Sequence, residues 1–412
     1  MIKKKNTIVG LDVGTTKIST IVAEVIDKDH VDIIGIGTTP SNGLRKGVVV
    51  DIEETVRSVK TAIEEAELMS GITIDEVYVG IAGDHIRSYN SSGVIGIAGK
   101  NRIITKHEIN RVIDAAKAVA IPMDREVLHI LPQEFIVDNQ DGIRDPTGME
   151  GVRLEVVVHI VTGAVSSANN IVNSVAKTGL TVKDIVLEQL ASSEAVLTKD
   201  EKDLGVALID IGGGTTDLAI FAENSIRHTS VLALGGYHVT NDIAIGLSTP
   251  FSKAEEIKIS NGNTFPSLVS KNEMIEIASV GGRSPRSISK QELCNIIEPR
   301  MSEILTLTAM EIRRYGYIDK IPAGIVITGG TSMMEGLIEL AEDIFGLPVR
   351  RGVPVNIGGL SDVVSNPMYA TGVGLILYGL RNRTKDHFRS STNNGAFFKI
   401  LKRMKAWFSE II

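Results

Sequence analysis

Two short segments of this chain share one pattern, and that repeat constrains the fold more than any other feature. Residues 8–17 read IVGLDVGTTK, and residues 206–217 read VALIDIGGGTTD. Each is an apolar run that ends in Asp-x-Gly, turns through glycine and threonine, and continues into a second β-rich run, at 18–26 and 218–221. Each therefore predicts a β-hairpin with a glycine-rich turn. Two such hairpins, far apart in the chain, predict a duplicated fold with a cleft between its halves.

Length and composition fit two lobes and exclude several classes of protein. The chain has 412 residues, enough for two cores, and 43 basic against 50 acidic residues. This balance argues against a general nucleic-acid binder, which would carry a basic stripe. The single cysteine, Cys294, excludes an intrachain disulfide and a cysteine-based zinc cluster. No apolar run approaches the length of a membrane span, and Asp12 and Lys17 interrupt the only candidate signal peptide, so we expect a cytoplasmic protein.

Helical patterns lie between and after the hairpins. We predict helices over 52–68, 106–119, 165–178 and 189–199, a long one over 290–315 interrupted at Pro299, and one over 333–345 that starts just after a Gly-Gly turn. Thr105 and Glu108 form a capping-box pattern at the start of the second helix. Residues 85–163 read as a separate α+β unit, with strands near 92–97, 127–137 and 154–161 and a polar loop over 138–151.

The first hairpin has the groups that a nucleoside triphosphate needs. Gly14 allows backbone N–H groups to approach phosphate oxygens, Thr15 and Thr16 add hydroxyl donors, and Lys17 adds a positive charge. Asp12, at the strand end, is suited to hold Mg²⁺ through water molecules. The alternative is an ordinary tight hairpin, since a single short motif is weak evidence.

The second hairpin and a later turn strengthen that prediction. Gly212, Gly213 and Gly214 precede Thr215, and consecutive glycines after a buried strand are costly unless the backbone wraps a ligand. Asp210 mirrors Asp12, whereas Asp217 is expected to bond back into its own turn. A third segment, 324–332, is a buried strand that ends in Gly329, Gly330 and Thr331, where a nucleoside can lie against the backbone; an ordinary βα turn would look the same.

The three motifs, in this order and spacing, resemble the phosphate-1, phosphate-2 and adenosine motifs of the actin/Hsp70/sugar-kinase superfamily. The resemblance implies ATP and Mg²⁺ bound between two lobes, with Asp12 and Asp210 on the metal side. Segment 187–194 resembles the first interdomain connector, which gives Glu188 the place of the residue that positions a water near the γ-phosphate; the alternative is a carboxylate at a helix start. Glu255 and Lys258 resemble the pair that meets ribose and base, and the alternative is an exposed charged helix face. Segment 370–375 resembles the second connector, where small residues let helices cross closely.

Within that superfamily the chain resembles the FtsA family of bacterial cell-division proteins. The insertion at 85–163 follows 79–84, where FtsA carries its relocated subdomain 1C, and the runs 142–151, 190–193 and 235–236 are similar to FtsA segments. The implied fold is α/β: an actin-like two-lobe ATPase fold of duplicated RNase H-like domains, with 1C in place of the usual 1B. The implied divisions are 1–84 and 164–196 (1A), 85–163 (1C), 197–236 and 323–380 (2A), 237–322 (2B), a flexible linker over 381–395, and an amphipathic helix over 396–412.

The last segment has the pattern of a helix that lies in a membrane interface. Apolar residues recur at steps of three and four, and basic residues fall beside them. The residues expected to contact anionic lipid are Phe397, Phe398, Ile400, Leu401, Lys402, Met404, Lys405, Trp407, Phe408 and Ile411. The alternative is a helix docked on the protein body.

The resemblance implies a recruiting function at the division site, on the cytoplasmic face of the cell membrane. It implies filaments of the chain itself, FtsZ captured by its C-terminal peptide on subdomain 2B, and later division proteins bound through 1C. Arg300 is our candidate for the acidic FtsZ peptide, and the alternative is a solvated surface arginine. ATP hydrolysis is expected to be weak at best. Two other functions stay open: an adaptor of pilus assembly similar to PilM, and an ATP-dependent small-molecule kinase.

Overall fold

The computed structural model describes residues 6–98, 101–270, 272–278 and 284–387, with side chains as far as residue 382. The predicted helix 396–412 lies outside the described residues. The first part of the chain forms β1 (Thr7–Val13), β2 (Lys17–Val25), β3 (Val31–Pro40), β4 (Leu44–Arg45), β5 (Val48–Val49), α1 (Ile52–Ser70), β6 (Glu76–Ile81), β7 (Arg87–Gly96), α2 (Lys106–Ala116), β8 (Arg125–Val137), β9 (Gln140–Ile143), β10 (Arg153–Ala164), α3 (Val165–Ala176), β11 (Thr181–Leu187) and α4 (Glu188–Val196). The second part forms α5 (Lys199–Leu204), β12 (Val206–Ile211), β13 (Thr216–Ala222), β14 (Ser225–Leu232), α6 (Gly236–Gly246), α7 (Phe251–Asn261), β15 (Met274–Ile277), β16 (Arg286–Ser289), α8 (Lys290–Arg314), β17 (Ile325–Thr328), α9 (Leu337–Phe345), β18 (Val349–Arg351), β19 (Gly358–Gly359), α10 (Ser361–Val364) and α11 (Ala370–His387).

Two mixed sheets repeat one strand order. The first sheet runs β11-β6-β1-β2-β3, with β19 added beside β3, and the second runs β18-β17-β12-β13-β14. In each, the hairpin and the strand after it pair antiparallel, whereas the two strands on the other side pair parallel. The predicted duplication and both glycine-rich hairpins are therefore confirmed.

Helices cover both faces of each sheet, which explains why the central strands are apolar throughout. Every residue of β12 is buried. Helices α1 and α3 cover the outer face of the first sheet, α6, α8 and α9 cover the second, and α4 and α11 pack between the sheets. At the crossing of those two helices a side chain on Gly374 would overlap the carbonyl oxygen of Ala191, so the small residues of 370–375 do allow close contact.

The end of the described chain returns to the first lobe. Strand β19 pairs with β3, and α11 packs against α4, β1 and β6. The sequence had assigned 323–380 to the second lobe, but the structure divides this segment between the two. Helix α11 also runs to His387, so the beginning of the segment expected to be a flexible linker is helical.

The inserted unit has its own sheet, in the order β7-β10-β8-β9, and its own core under α2. The predicted capping box is present, since the Glu108 carboxylate accepts the Thr105 N–H at 3.1 Å. The prediction that 138–151 is entirely loop is wrong, because β9 pairs with β8 inside it.

Three other predictions need correction. Helix α8 continues through Pro299, because buried residues on both sides of the proline pack into one core and compensate for the lost backbone hydrogen bond. The predicted helix after the Gly-Gly turn begins only at Leu337, because Gly330–Met333 forms a separate 3-10 turn. The residues after that turn pair with the segment that follows α7, where the Thr264 N–H donates to Glu335 O at 2.9 Å. The predicted helix 189–199 ends at Val196, and Thr198 caps the separate helix α5.

Candidate functional site

A cavity of about 680 Å³ lies in the cleft between the lobes, a volume typical of small-molecule sites. The turns of both hairpins, the turn after β17 and helix α7 converge on it. Every residue predicted from the sequence for contacts to phosphate, metal or nucleoside lines it: Asp12, Gly14, Thr15, Thr16, Lys17, Glu188, Asp210, Gly212, Gly213, Gly214, Thr215, Glu255, Lys258, Gly329, Gly330 and Thr331. The fold thus brings five separate segments of sequence to one place.

The two hairpin turns contact each other across the cleft. A side chain on Gly213 would overlap Thr16, and one on Gly214 would overlap Thr15. The consecutive glycines of the second turn are therefore required by the threonines of the first. Each turn is closed by its own backbone, as in the second, where the Gly212 N–H donates to Thr215 O at 3.0 Å.

Lys17 ties the first hairpin to the segment that precedes α11. Its ammonium donates to the carbonyl oxygen of Met368 at 2.6 Å and lies 4.5 Å from the centre of the Tyr369 ring. Burial lowers the pKa of this ammonium, although nearby carboxylates oppose that shift. The Lys17 side chain is thus held inside the cleft, close to Asp12, Asp210 and Glu188.

The nucleoside end of the cavity is built from α6, α7 and the third motif. Lys258 is 10% exposed and pairs with Glu255 at 2.8 Å, so the alternative of an exposed charged helix face is wrong for the lysine. Its ammonium also donates to Thr240 Oγ1 at 2.9 Å. The hydroxyl of Thr331 donates to Gly212 O at 3.0 Å, which fixes the third turn against the second hairpin.

Three buried carboxyl groups, Asp12, Asp210 and Asp217, and the half-buried Glu188 cluster at the phosphate end. Burial raises the pKa of Asp12, and burial together with Asp12 raises the pKa of Asp210 to about 6. Burial, reinforced by Asp12 and Asp217, raises the pKa of Glu188 well above its usual value, and burial with Asp210 raises that of Asp217 to about 8. With Lys17 as their counter-charge, these groups favour an added cation.

The carboxylates do not form a closed metal cage. Within the described ranges no three His, Cys, Asp or Glu side chains converge closely enough to hold a metal ion. A divalent ion at Asp12 and Asp210 would therefore be held through water and through oxygens of a bound ligand. Mg²⁺ commonly binds in this way, because it gives up its water reluctantly.

Several residues of the site were missed from the sequence. The Thr371 hydroxyl donates to Asp210 Oδ2 at 3.3 Å, and the Gly47 N–H donates to Thr15 Oγ1 at 3.0 Å. Tyr237 lines the cavity with its ring against Phe251. Thr371 lies in segment 370–375, which the sequence marked for close helix packing, so sequence analysis could have placed it near the cleft. No local pattern pointed to Gly47.

The predicted partner-binding residue, Arg300, does not line the cavity. The Arg300 guanidinium, on α8, donates through Nε to Asp242 Oδ2 at 2.6 Å and also pairs with Glu303, so it is engaged within the chain rather than simply solvated. The proposed membrane residues after 395 lie outside the described residues. No helix in the part of the chain that the structure describes is long and apolar enough to cross a membrane.

Sequence comparisons find one family. A sequence model described as "Cell division protein FtsA" matches residues 207–374, and one described as "SHS2 domain inserted in FTSA" matches residues 83–162. The chain is 53% identical to the cell division protein FtsA of Pseudomonas aeruginosa, over 97% of each chain. It is 41% identical to that of Escherichia coli K12, also over 97% of each.

Structural comparisons find the same overall fold in more distant proteins. The PilM-PilN type IV pilus biogenesis complex matches with a TM-score of 0.65 at 17% identity, covering 90% of this chain and 98% of the other. MreB5 of Spiroplasma citri bound to ADP matches with a TM-score of 0.55 at 16% identity, covering 94% and 99%. At these identities the likeness concerns the fold alone, and it confirms the actin-like two-lobe arrangement.

Proposed function

This chain belongs to the FtsA family of bacterial cell-division proteins, and we propose that it is an ATP-dependent membrane adaptor for FtsZ. In this proposal it binds ATP with Mg²⁺ in the cleft, assembles into filaments, captures the FtsZ C-terminal peptide on residues 237–322 and recruits later division proteins through 85–163. The observation that supports it most is that all three predicted motifs line one shared cavity. The protein would act on the cytoplasmic face of the membrane at the division site.

Each group in the cleft has a distinct role in this proposal. Backbone N–H groups of both turns, with the hydroxyls of Thr15 and Thr16, would bind phosphate oxygens. Asp12 and Asp210 would orient the waters of Mg²⁺, which neutralises phosphate charge when bound. Glu188, half-buried beside them, would hold an attacking water, so any hydrolysis should depend on it. ATP then serves chiefly as an assembly ligand.

Equilibrium binding of ATP and ADP tests the cleft assignment. We expect tight binding with Mg²⁺, and Asp210→Asn should weaken it by about tenfold, or about 1.4 kcal/mol, because the metal waters lose an oriented carboxylate. Asp29→Asn, on an exposed loop, is the matched control. If wild-type protein bound neither nucleotide, the assignment would be wrong.

The FtsZ contact is tested at Arg300. An acidic peptide would have to compete with Asp242 and Glu303 for the guanidinium, so Arg300→Glu should weaken binding of a synthetic FtsZ C-terminal peptide by about tenfold. Arg57→Glu, on α1 of the first lobe, reverses a charge away from this surface. If both variants bound the peptide equally and kept their thermal stability, the peptide would bind at a site other than Arg300.

The membrane contact is tested with Trp407, the only tryptophan in the sequence. Because α11 runs to His387, a 1–387 chain keeps that helix whole while it removes the predicted anchor. We expect full-length protein to sediment with anionic vesicles, with a blue shift of Trp407 fluorescence, and the shortened chain to stay in solution. No sedimentation of the full-length chain, with or without Mg-ATP, would contradict the anchor.

The alternatives receive less support. The likeness to the PilM-PilN complex is a likeness of fold at 17% identity, whereas the FtsA relatives are 41–53% identical over nearly the whole chain. A kinase would require steady ATP turnover with a small acceptor, which a steady-state assay of ADP release would detect.

A further inference from the structure

The inserted subdomain, residues 85–163, is hydrogen-bonded to the lobe that does not carry it. The chain enters and leaves it from the first lobe, yet the Ser88 hydroxyl donates to Thr229 O at 2.7 Å and the Gln133 amide donates to Ile226 O at 2.8 Å. Both acceptors are on β14, the edge strand of the second sheet. We call this set of contacts between β7, β8 or β10 and β14 the latch.

His159 forms the buried centre of the latch. Its ring is 1% exposed, with Nδ1 2.7 Å from Asn90 Oδ1 and Nε2 2.9 Å from Thr229 Oγ1. Because an amide oxygen only accepts, Nδ1 carries the proton and Nε2 accepts the hydroxyl of Thr229. Burial, with His228 nearby, lowers the pKa of His159 to about 3, so the ring stays neutral near pH 7. The latch is therefore a set of neutral, directional bonds that break only when the two surfaces separate.

An ion pair at the outer edge also joins the inserted subdomain to the second lobe. Arg144, in the segment after β9, donates to Asp203 Oδ1 at 2.6 Å, and Asp203 lies at the end of α5 before the second sheet begins. The inserted subdomain therefore touches the second lobe through side chains of three strands and one loop.

The base of the inserted subdomain contacts the phosphate loop. A Cβ on Gly47 would lie 2.7 Å from the Cα atom of Gly83, where the chain enters the insertion. The backbone of Gly83 has a φ angle of +134°. The N–H of Gly47 in turn donates to Thr15 Oγ1 at 3.0 Å. Entry and exit strands are joined by Arg125, whose guanidinium donates to His85 O at 2.9 Å and Thr162 O at 2.8 Å.

We propose that the inserted subdomain is a lever that couples the phosphate end of the cleft to the surface it presents to partners. It is held to the first lobe through Gly47 and Gly83 and to the second through the latch, so movement of the lobes around a ligand must turn it or open the latch. This rests on the proposed nucleotide site and on the recruiting role proposed for 85–163. By thermodynamic reciprocity, opening the latch must also change the affinity for nucleotide.

Hydrogen exchange of the full-length protein, with and without Mg-ATP, tests the lever. In wild-type protein we expect ATP to slow exchange in 12–17 and 210–217, and to change exchange in 87–96 and 225–232 by at least about threefold. The Ser88→Ala/Thr229→Val double variant removes two latch hydroxyls without touching the cavity. It should keep the protection of the cleft, lose the response at 87–96, and change the ATP dissociation constant by at least about threefold.

Thr178→Val is the matched control, because its hydroxyl bonds only to Val175 O in its own turn. If ATP protected the cleft of wild-type protein but left 87–96 and 225–232 unchanged, or if the double variant responded as wild type does, the lever would be refuted and nucleotide binding would stand. If ATP protected neither region, both proposals would fail. If the double variant loses its cooperative thermal transition, the same measurements are made on Ser88→Ala alone. This single variant keeps the His159–Thr229 bond.

Discussion

The two glycine-rich hairpins look like copies in sequence, but the structure shows that they are complementary. In both, an aspartate is the last residue but one of the first strand, and the turn faces the cleft. The first turn carries threonine side chains, and the second has glycines where those side chains lie. Neither turn could be replaced by a copy of the other without overlap or a gap. Duplication supplied the framework, and the contact between the copies then fixed which turn is bulky.

The charged side chains of the two hairpins also differ. Across the first hairpin Asp12 faces Ser19, with Lys17 beside it, whereas across the second Asp210 faces Asp217. The pKa of Asp217 is raised to about 8 by burial and by Asp210. The first hairpin thus has a positive group beside its aspartate, whereas the second has two carboxyl groups and no positive group. Because a nearby cation favours the ionised form of both carboxyl groups, a cation between the hairpins is favoured.

Gly213→Ala should break the complementarity with the largest effect. The new Cβ would overlap Thr16 and force the turns apart, so we expect ATP affinity to fall by about 100-fold, or about 2.7 kcal/mol. Calorimetric titration measures the loss. Gly96→Ala, where a Cβ meets no atom within 4 Å, is the matched control.

The same pair offers a rescue. Adding Thr16→Gly to Gly213→Ala moves the side-chain bulk from the first hairpin to the second, and ATP affinity should recover to within about tenfold of wild type. If the double variant bound no better than Gly213→Ala, the fit between the turns would not be what sets affinity.

Lys17→Gln should have the next largest effect, because it removes the positive group of the first hairpin. Phosphate would then face the buried carboxylates without their counter-charge, and we expect about tenfold weaker ATP binding, or about 1.4 kcal/mol. Lys60→Gln, an exposed position on α1, should bind as wild type does. If Lys17→Gln bound ATP as tightly as wild-type protein, the positive charge of the first hairpin would not contribute to ATP binding.

Asp217→Asn should give the smallest effect, visible in the dependence of stability on pH. Since the folded-state pKa of Asp217 is about 8, above its usual 3.8, the folded protein holds an extra proton between these values. Its stabilising contribution is therefore lost as pH rises through 8. Without nucleotide or Mg²⁺, wild-type Tm should fall more than variant Tm between pH 6.5 and 9, by about 3 °C. Parallel Tm curves would contradict the raised pKa.

Much of the site was predictable because its signals are local. Three consecutive glycines or an Asp-x-Gly turn show in a few neighbouring residues what the backbone there must do. Even Glu188, Glu255 and Lys258 followed from resemblance to short motifs. Pro299 misled the prediction because its local cost is outweighed by burial along the whole of α8.

Contacts between distant segments could not be predicted. Two hydrogen bonds, from Gly47 to Thr15 and from Thr371 to Asp210, join positions that no common sequence pattern links. The latch joins an inserted subdomain to the edge strand of the other lobe. These contacts depend on how the lobes sit together, which no single stretch of residues specifies.

By itself the sequence determined the duplicated α/β fold, the position of the insertion and the set of residues that meet in the cleft. These follow from hydrophobic period, turn chemistry and motif order, which act over a few residues at a time. The tertiary structure alone decided which hairpin is bulky, where α11 packs and how the inserted subdomain touches both lobes. The physical reason is that side-chain contact and shared burial are properties of surfaces brought together, and many different sequences can form each surface.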